Sequence, residues 1–244
     1  MNIDQKCKKI VNFIAKKAGQ KPVVVGLSGG IDSAIVAFLA VKALGKDNVC
    51  GLIMPSNTNS NNDKRLAVEV ANLLKILYLV MPIEKIIKSF EKTTKCFKEK
   101  KNFGNLKARI RMSLLYGKAN EINGLVLGTG NKTELLVGYF TKYGDGGVDI
   151  LPIGDLYKTE VRELALFLKI PQEIIDRPPT AGLWAGQTDE AELGINYAEL
   201  DKILEAIENK KSLRKFKKSN IELVKNYLKN SEHKRMMPAI CRLR

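Results

Sequence analysis

The chain has a single histidine, His233, and its four cysteines, Cys7, Cys50, Cys96 and Cys241, never occur at Cys-x-x-Cys spacing. A cysteine–histidine zinc site is excluded for want of ligands. No apolar run approaches membrane-spanning length. The N-terminus carries alternating charge over a helical stripe, Ile3, Cys7, Ile10 and Ile14, in place of the apolar centre of a signal peptide. A cytoplasmic protein with no membrane partner is expected. Composition nowhere shifts enough to mark a linker, so residues 1–244, 45% hydrophobic, are expected to form a single domain around one substantial core. Acidic residues are also scarce, with 26 Asp and Glu against 41 Lys and Arg. Residues 209–244 hold 12 of those basic residues and only 2 Glu. Charge alone favours a solvated helix face there, with nucleic acid or a phosphorylated small molecule as alternatives, and any RNA affinity is expected to be weak and non-specific.

Also missing are the two common phosphate-loop signatures. A Walker A loop needs Lys-Ser/Thr after its second glycine, where this chain has Ile31 and Asp32, and Gly-x-Gly-x-x-Gly fails because Ser28 stands two positions after Gly26. What is present is Ser28-Gly29-Gly30-Ile31-Asp32-Ser33, directly after the apolar run Val23-Val24-Val25-Gly26-Leu27. The run suits a buried parallel strand, and a helical pattern (Ala34, Ile35, Ala37, Phe38, Val41) begins at Ser33. Two glycines and two small hydroxyls at a strand–loop–helix corner let backbone N–H groups approach an anion, with the helix N-terminus behind them. An acid inside an anion loop makes sense if Asp32 holds a magnesium ion shared with phosphate, since magnesium keeps most of its waters and takes one or two carboxylates. The pattern resembles the pyrophosphate loop of the N-type ATP pyrophosphatases, which cleave ATP to AMP and pyrophosphate.

Further strands are predicted over 48–54, 76–81 and 124–128, and helices over 61–74, from Pro82 past Phe90, and from about 104 to 122. Residues 93–105, polar and lysine-rich, suit a loop or frayed helix end. This alternation predicts an α/β fold: a single doubly wound parallel sheet with helices on both faces and binding loops at the carboxyl ends of its strands. The loops after the first and fourth strands should open on one edge, bringing Glu134 to Asp32. On local sequence alone, Glu134 suits a first-turn acid on a helix dipole equally well.

Longer blocks narrow the resemblance. Gly128-Thr129-Gly130-Asn131-Lys132-Thr133-Glu134, Gly138 through Asp149, Leu151-Pro152-Ile153-Gly154-Asp155-Leu156-Tyr157-Lys158-Thr159, Pro179-Thr180-Ala181-Gly182-Leu183-Trp184, Gln187 through Gly194 and Glu232-His233-Lys234-Arg235 are together very similar to NAD synthetases. The resemblance spans nearly the whole chain. It implies an adenine-nucleotide α-hydrolase-like fold and an enzyme of the last step of NAD biosynthesis. Such an enzyme adenylates the nicotinate carboxylate of deamido-NAD with magnesium ATP, and ammonia then displaces AMP. By the same resemblance Gly26, Leu27, Ser28, Gly29, Gly30, Ile31, Asp32, Ser33, Thr129, Lys158 and Thr180 contact ATP, while Asp32 and Glu134 hold magnesium. Arg109, Lys142, Asp149, His233 and Lys234 take deamido-NAD, and Asp145 captures ammonium or accepts its proton. Lys158 has a physical case of its own, as a point charge at a predicted helix start that can reach a phosphate.

A separate amidase domain has no room in this length, so free ammonia is the implied donor; a separate ammonia-delivering subunit stays open. Residues 178–194, with Gly182, Gly186 and Gly194 among acids, suit a mobile lid or an ordered surface loop. Within the superfamily, tRNA-modifying and GMP-synthetase-like enzymes are the rivals. Two apolar stripes on the helix ending near 122, one of Leu106, Ile110, Leu114 and Gly117 and the other of Ala108, Met112, Leu115, Ala119 and Ile122, imply a second buried contact, either with the chain's own helices, which periodicity alone favours, or with a second subunit. Together with the resemblance they predict a homodimer centred on this helix, with Met112 and Leu115 at its interface.

Overall fold

The computed structural model describes every residue except Ala181, Leu183, Ala185 and Arg244. Four strands, β1 (Val23–Gly26), β2 (Val49–Ile53), β3 (Leu77–Val80) and β4 (Leu125–Leu127), form one parallel sheet in the order β3-β2-β1-β4. Val23 to Val25 are wholly buried, so the valine run is a central strand covered on both faces. Val23 and Val25 join one apolar cluster and Val24 the other. The first cluster packs α1 (Ile3–Ala18), α2 (Ile31–Leu44), α3 (Asn61–Leu74), α7 (Lys158–Phe167) and α8 (Gln172–Ile175) on one face. The second packs α4 (Glu84–Thr93) and α5 (Lys100–Glu121) on the other. The doubly wound expectation holds.

Chain order runs outward from β1 to β3 and then returns, with β4 pairing on the free side of β1. Where the order reverses, the loops after β1 and β4 diverge and leave a crevice at their carboxyl ends. One parallel bridge, Leu127 to Ile150, extends the sheet beyond β4. Four more helices follow β4: α6 (Lys132–Val137), α9 (Asp189–Leu193), α10 (Tyr197–Glu208) and α11 (Lys218–Asn230); a last turn, α12, covers Glu232–Arg235. Val137, Leu193, Tyr197, Leu200, Ile203 and Val224 make a third apolar cluster behind the crevice. No helix among the described residues is long and apolar enough to cross a membrane.

Two sequence expectations are corrected. The lysine-rich stretch is not all loop, because α5 begins at Lys100. Phe103, Leu106 and Ile110 recur at helical spacing and reach the core, and the lysines around them form its solvated face. The second stripe of α5 needs no partner subunit. Ala119 and Ile122 pack in the core, and Ala108, Met112 and Leu115 line the crevice. Apart from the exposed Gly117, both stripes are used within the chain.

Candidate active site

At the end of β1 the chain turns through Leu27 to Ser33, and the two serines organise the turn. Ser33 Oγ accepts from Ser28 N at 3.2 Å and donates to the Gly30 carbonyl at 2.9 Å; Ser28 Oγ accepts from Gly30 N at 3.2 Å and lies 3.1 Å from Ser33 Oγ. Gly29 has φ of +78°, and a Cβ there would overlap the Asp63 carbonyl oxygen. Only glycine fits this position. Arg177 braces the loop from behind, donating to the Gly29 carbonyl at 3.0 Å while pairing with Asp63.

The second loop, after β4, ends in a capping box: Asn131 Oδ1 accepts from Glu134 N at 3.0 Å, and Asn131 N donates back to Glu134 Oε2 at 3.3 Å. Asn131 is fully buried, and its Nδ2 crosses to Asp32 Oδ1 at 3.0 Å. The two carboxylates are thereby held together. Lys158, the first residue of α7, places its Nζ 2.6 Å from Asp32 Oδ2 and 3.0 Å from Glu134 Oε1, with its side chain 4% exposed. Its ammonium thus sits between the carboxylates instead of reaching toward a phosphate, because two enclosed negative charges draw the nearest cation. Burial alone would lower the lysine pKa, but Asp32 and Glu134 outweigh it and hold the group charged. Glu134 is pushed up to about 7, first by burial and then by Asp32, against the pull of Lys158.

Asp32 and Glu134 fit a divalent cation. They converge on one positive group with hard oxygen donors, as magnesium prefers, and among the described residues no set of three or more acidic, cysteine or histidine side chains is arranged to hold a metal. The remaining coordination would fall to phosphate and water.

The crevice opens into a cavity of about 780 Å³, within the range for small-molecule sites. Gly26, Leu27, Ser28, Gly30, Ile31, Asp32, Ser33, Thr129, Glu134, Asp145, Lys158, Thr180, His233 and Lys234 all line it. Asp145 is open to the cavity, yet enclosure by the cleft raises its pKa despite a 2.9 Å hydrogen bond from Thr141 N. Lys234 is largely occupied, its Nζ donating to the Gly138 and Phe140 carbonyls at 2.6 Å each.

Three expected dinucleotide residues lie outside this lining. Arg109 is exposed and donates to the Lys142 carbonyl at 3.3 Å, and Lys142 Nζ donates to the His233 carbonyl at 2.6 Å. Asp149 accepts from Val126 N at 2.8 Å and from Tyr116 at 3.1 Å. Arg109 and Lys142 are thus joined to each other, and Asp149 is tied to β4 and to α5.

Of residues 178–194, Ala181, Leu183 and Ala185 lie outside the described residues. The remainder is tied down at Asp189 N, which donates to the Pro179 carbonyl at 3.0 Å, and at Gly182, whose carbonyl accepts from Thr58 at 3.4 Å.

Sequence reasoning missed Asn131, Arg177, Asp189 and Arg111. Asn131 was legible as the cap of Asn-x-x-Glu, but its bond to Asp32 was not. Asp189 is 3% exposed, accepts from Tyr197 at 2.9 Å through one oxygen, and leaves the other without a hydrogen-bond partner among the described residues.

A sequence model of the family described as NAD synthase matches residues 3–238. Among curated relatives, the NH(3)-dependent NAD(+) synthetase of Archaeoglobus fulgidus is 48% identical, covering 100% of this chain and 99% of that one. That of Methanocaldococcus jannaschii is 50% identical, covering 94% of this chain and 93% of the relative. Among solved structures, the NH3-dependent NAD synthetase of Campylobacter jejuni is 36% identical at a TM-score of 0.86, covering 99% of this chain and all (100%) of that one. One described as NMN synthetase from Francisella tularensis is 37% identical at a TM-score of 0.91, covering 99% of each chain. A match this long, over a parallel sheet whose first and fourth loops meet at one cation site, has a plain meaning: the chain belongs to the NAD synthetase family.

Proposed function

We propose that the chain amidates deamido-NAD with ammonia at the expense of ATP, giving NAD, AMP and pyrophosphate. The observation that carries this reading is the meeting of Asp32 and Glu134, from separate strand ends, on one cation beside the Ser28–Ser33 loop and above a cavity that also holds Asp145. A free carboxylate resists amines because its oxide is a poor leaving group. In the first step a nicotinate carboxylate oxygen bonds to the α-phosphorus as the bond to the β-phosphate bridging oxygen breaks, and pyrophosphate leaves with the electron pair. In the second, the ammonia nitrogen bonds to the acyl carbon, gives up a proton, and AMP leaves with the C–O electrons.

The loop N–H groups and the start of α2 receive the departing pyrophosphate. Asp32 and Glu134 would hold magnesium, which supplies charge neutralisation to the phosphates. Lys158, released from its two carboxylates when they are otherwise neutralised, adds a mobile positive charge beside them. Asp145, its pKa raised by enclosure, holds ammonium and accepts its proton.

We further infer a homodimer, its support now different from the stripes of α5. Arg109, Lys142 and Asp149 lie on a rim outside their own cavity, beside the exposed α5 residues Ser113 and Gly117, where a second copy can complete a dinucleotide site.

Product analysis with ATP, magnesium, deamido-NAD and ammonium tests the function. AMP, pyrophosphate and NAD are expected in equal amounts; ADP with phosphate would sink the mechanism. Glutamine is not expected to replace ammonium. Because one structural relative is described as an NMN synthetase, nicotinate mononucleotide is run in parallel, and a preference for it would reassign the substrate.

A further inference from the structure

Arg111 lies one helical turn before Leu115 on α5 and lines the same cavity. Its Nε donates to the Met54 carbonyl at 3.1 Å and its Nη2 to Asn59 Oδ1 at 3.1 Å, while Nη1 has no hydrogen-bond partner among the described residues. Both acceptors are neutral. Arginine ion pairs among the described residues belong to Arg65 and Arg177. Burial lowers the Arg111 pKa to about 10, opposed by the charge of Asp145. One turn earlier, Lys107 places a second buried cation on the same helix, its pKa lowered by burial and by Arg111 itself. A guanidinium taken from water beside another cation, with no carboxylate partner among the described residues, is unfavourable by itself. The same arrangement is preorganised for an anion that enters the cavity.

Position selects the anion. The cation-binding end of the cavity is the cluster of Asp32, Glu134 and Lys158, and the principal charges acting on Glu134 and Lys158 do not include Arg111. The charge that Arg111 feels is that of Asp145. In the function proposed above, on which this inference rests, Asp145 receives ammonium, and ammonia attacks the carboxyl carbon. We propose that Arg111 binds the nicotinate carboxylate of the dinucleotide and thereby distinguishes the acid substrate from the amide product. Its Nη1 and a second N–H then face the two carboxylate oxygens. Once one oxygen is bonded to phosphorus, the guanidinium holds the other, and it faces the oxyanion formed when nitrogen adds. The amide product carries no charge for it to hold, which favours release.

The test is titration calorimetry of wild type, Arg111→Gln and Arg111→Lys with deamido-NAD and with NAD, each without ATP. Arg111→Gln is expected to bind deamido-NAD about 30-fold or more weakly, since a buried charged hydrogen-bond pair has lost one partner, while NAD affinity changes less than about threefold. Arg111→Lys, which keeps charge but not the fork, is expected to recover part of the acid preference. A guanidinium that merely straps the Met54–Asn59 loop would move both affinities together, and that result, or unchanged discrimination, overturns the assignment. Should Arg111→Gln fail to fold, Arg111→Lys carries the comparison: its acid-to-amide ratio must fall below wild type. Wild type that makes no NAD from deamido-NAD refutes the proposed function, whereas a wild type that makes NAD, with variants that discriminate normally, refutes only the role of Arg111.

Discussion

Lys158→Met removes the positive charge shared by Asp32 and Glu134 while keeping most of the side-chain volume. The ammonium lies 2.6 and 3.0 Å from the two carboxylates, with its side chain 4% exposed, so this is a buried network losing its only cation in direct contact with both. Breaking such a network typically costs about 3–5 kcal/mol, and at this chain length each kcal/mol lowers the melting temperature by about 2–4 °C. A fall of about 10 °C is expected at pH 8. Proton uptake limits the damage, and Glu134, already at about 7, takes the proton first. A carboxyl whose pKa is raised on folding costs stability above that pKa and nothing below its unfolded value, here 4.5. The deficit of the variant therefore shrinks as the pH is lowered from 8 toward 5. Magnesium provides the second readout. With no ammonium to displace, the variant is expected to bind magnesium more tightly than wild type in the absence of ATP and to regain much of its melting temperature in millimolar magnesium, although turnover is lost. Differential scanning fluorimetry across pH, with and without magnesium, measures both effects. An unchanged melting temperature, or weaker magnesium binding than wild type, would refute the description of Lys158 as a resident cation.

Asp145→Asn should melt higher than wild type at pH 8, because the carboxyl it replaces has a pKa raised by enclosure; the gain should fade as pH drops toward 3.8, and loss of ammonium-dependent turnover should accompany it. A variant no more stable than wild type at any pH would show that the enclosure is not costly. Gly29→Ala forces a side chain into a positive-φ position against the Asp63 backbone, and a loss of more than about 2 kcal/mol together with ATP binding is expected from denaturation and calorimetry; retained nucleotide affinity would disprove the fit of the loop. Gly117 on α5 has open space around it within the chain, so Gly117→Arg should stabilise an isolated subunit by about 0.5–1 kcal/mol through helix propensity. In sedimentation it should nevertheless turn a dimer into monomers, and a variant still dimeric would move the interface to another face.

The first strand, its loop and the two acids were legible because each rests on local chemistry: three valines in a row, two glycines among small hydroxyls, and an Asn-x-x-Glu cap after an apolar run. The meeting of Asp32 with Glu134 followed from the alternation of strands and helices, which alone places the two loops on one edge. What stayed hidden depends on side-chain direction over long separations. The helix start singled out Lys158, but nothing local aims it at Asp32 and Glu134, nor marks Arg177 as the brace of a loop nearly 150 residues earlier, as its bond to the Gly29 carbonyl shows. Periodicity reported two apolar stripes on α5 correctly, but an apolar face can close over a ligand cavity as readily as over another subunit. Met112 and Leu115 line such a cavity, so the second stripe by itself no longer points to a partner subunit.

The pairing of β1 with β4, Val23 against Leu125, joins residues about a hundred positions apart and sets a sequence of events during synthesis. By the time β3 has emerged from the ribosome, β1, β2 and β3 can already associate, but the valine edge of β1 still lacks its neighbour. At ribosomal rates of about 5–20 residues per second, β4 arrives roughly several seconds later. During that interval an unpaired apolar edge is open to pairing with other chains. Glu134, Asn131 and Lys158 come later still, so the nascent chain exposes its phosphate loop before it has the groups that organise it. Conditions that slow elongation across residues 81–124 should therefore favour aggregation of the nascent protein over its maturation.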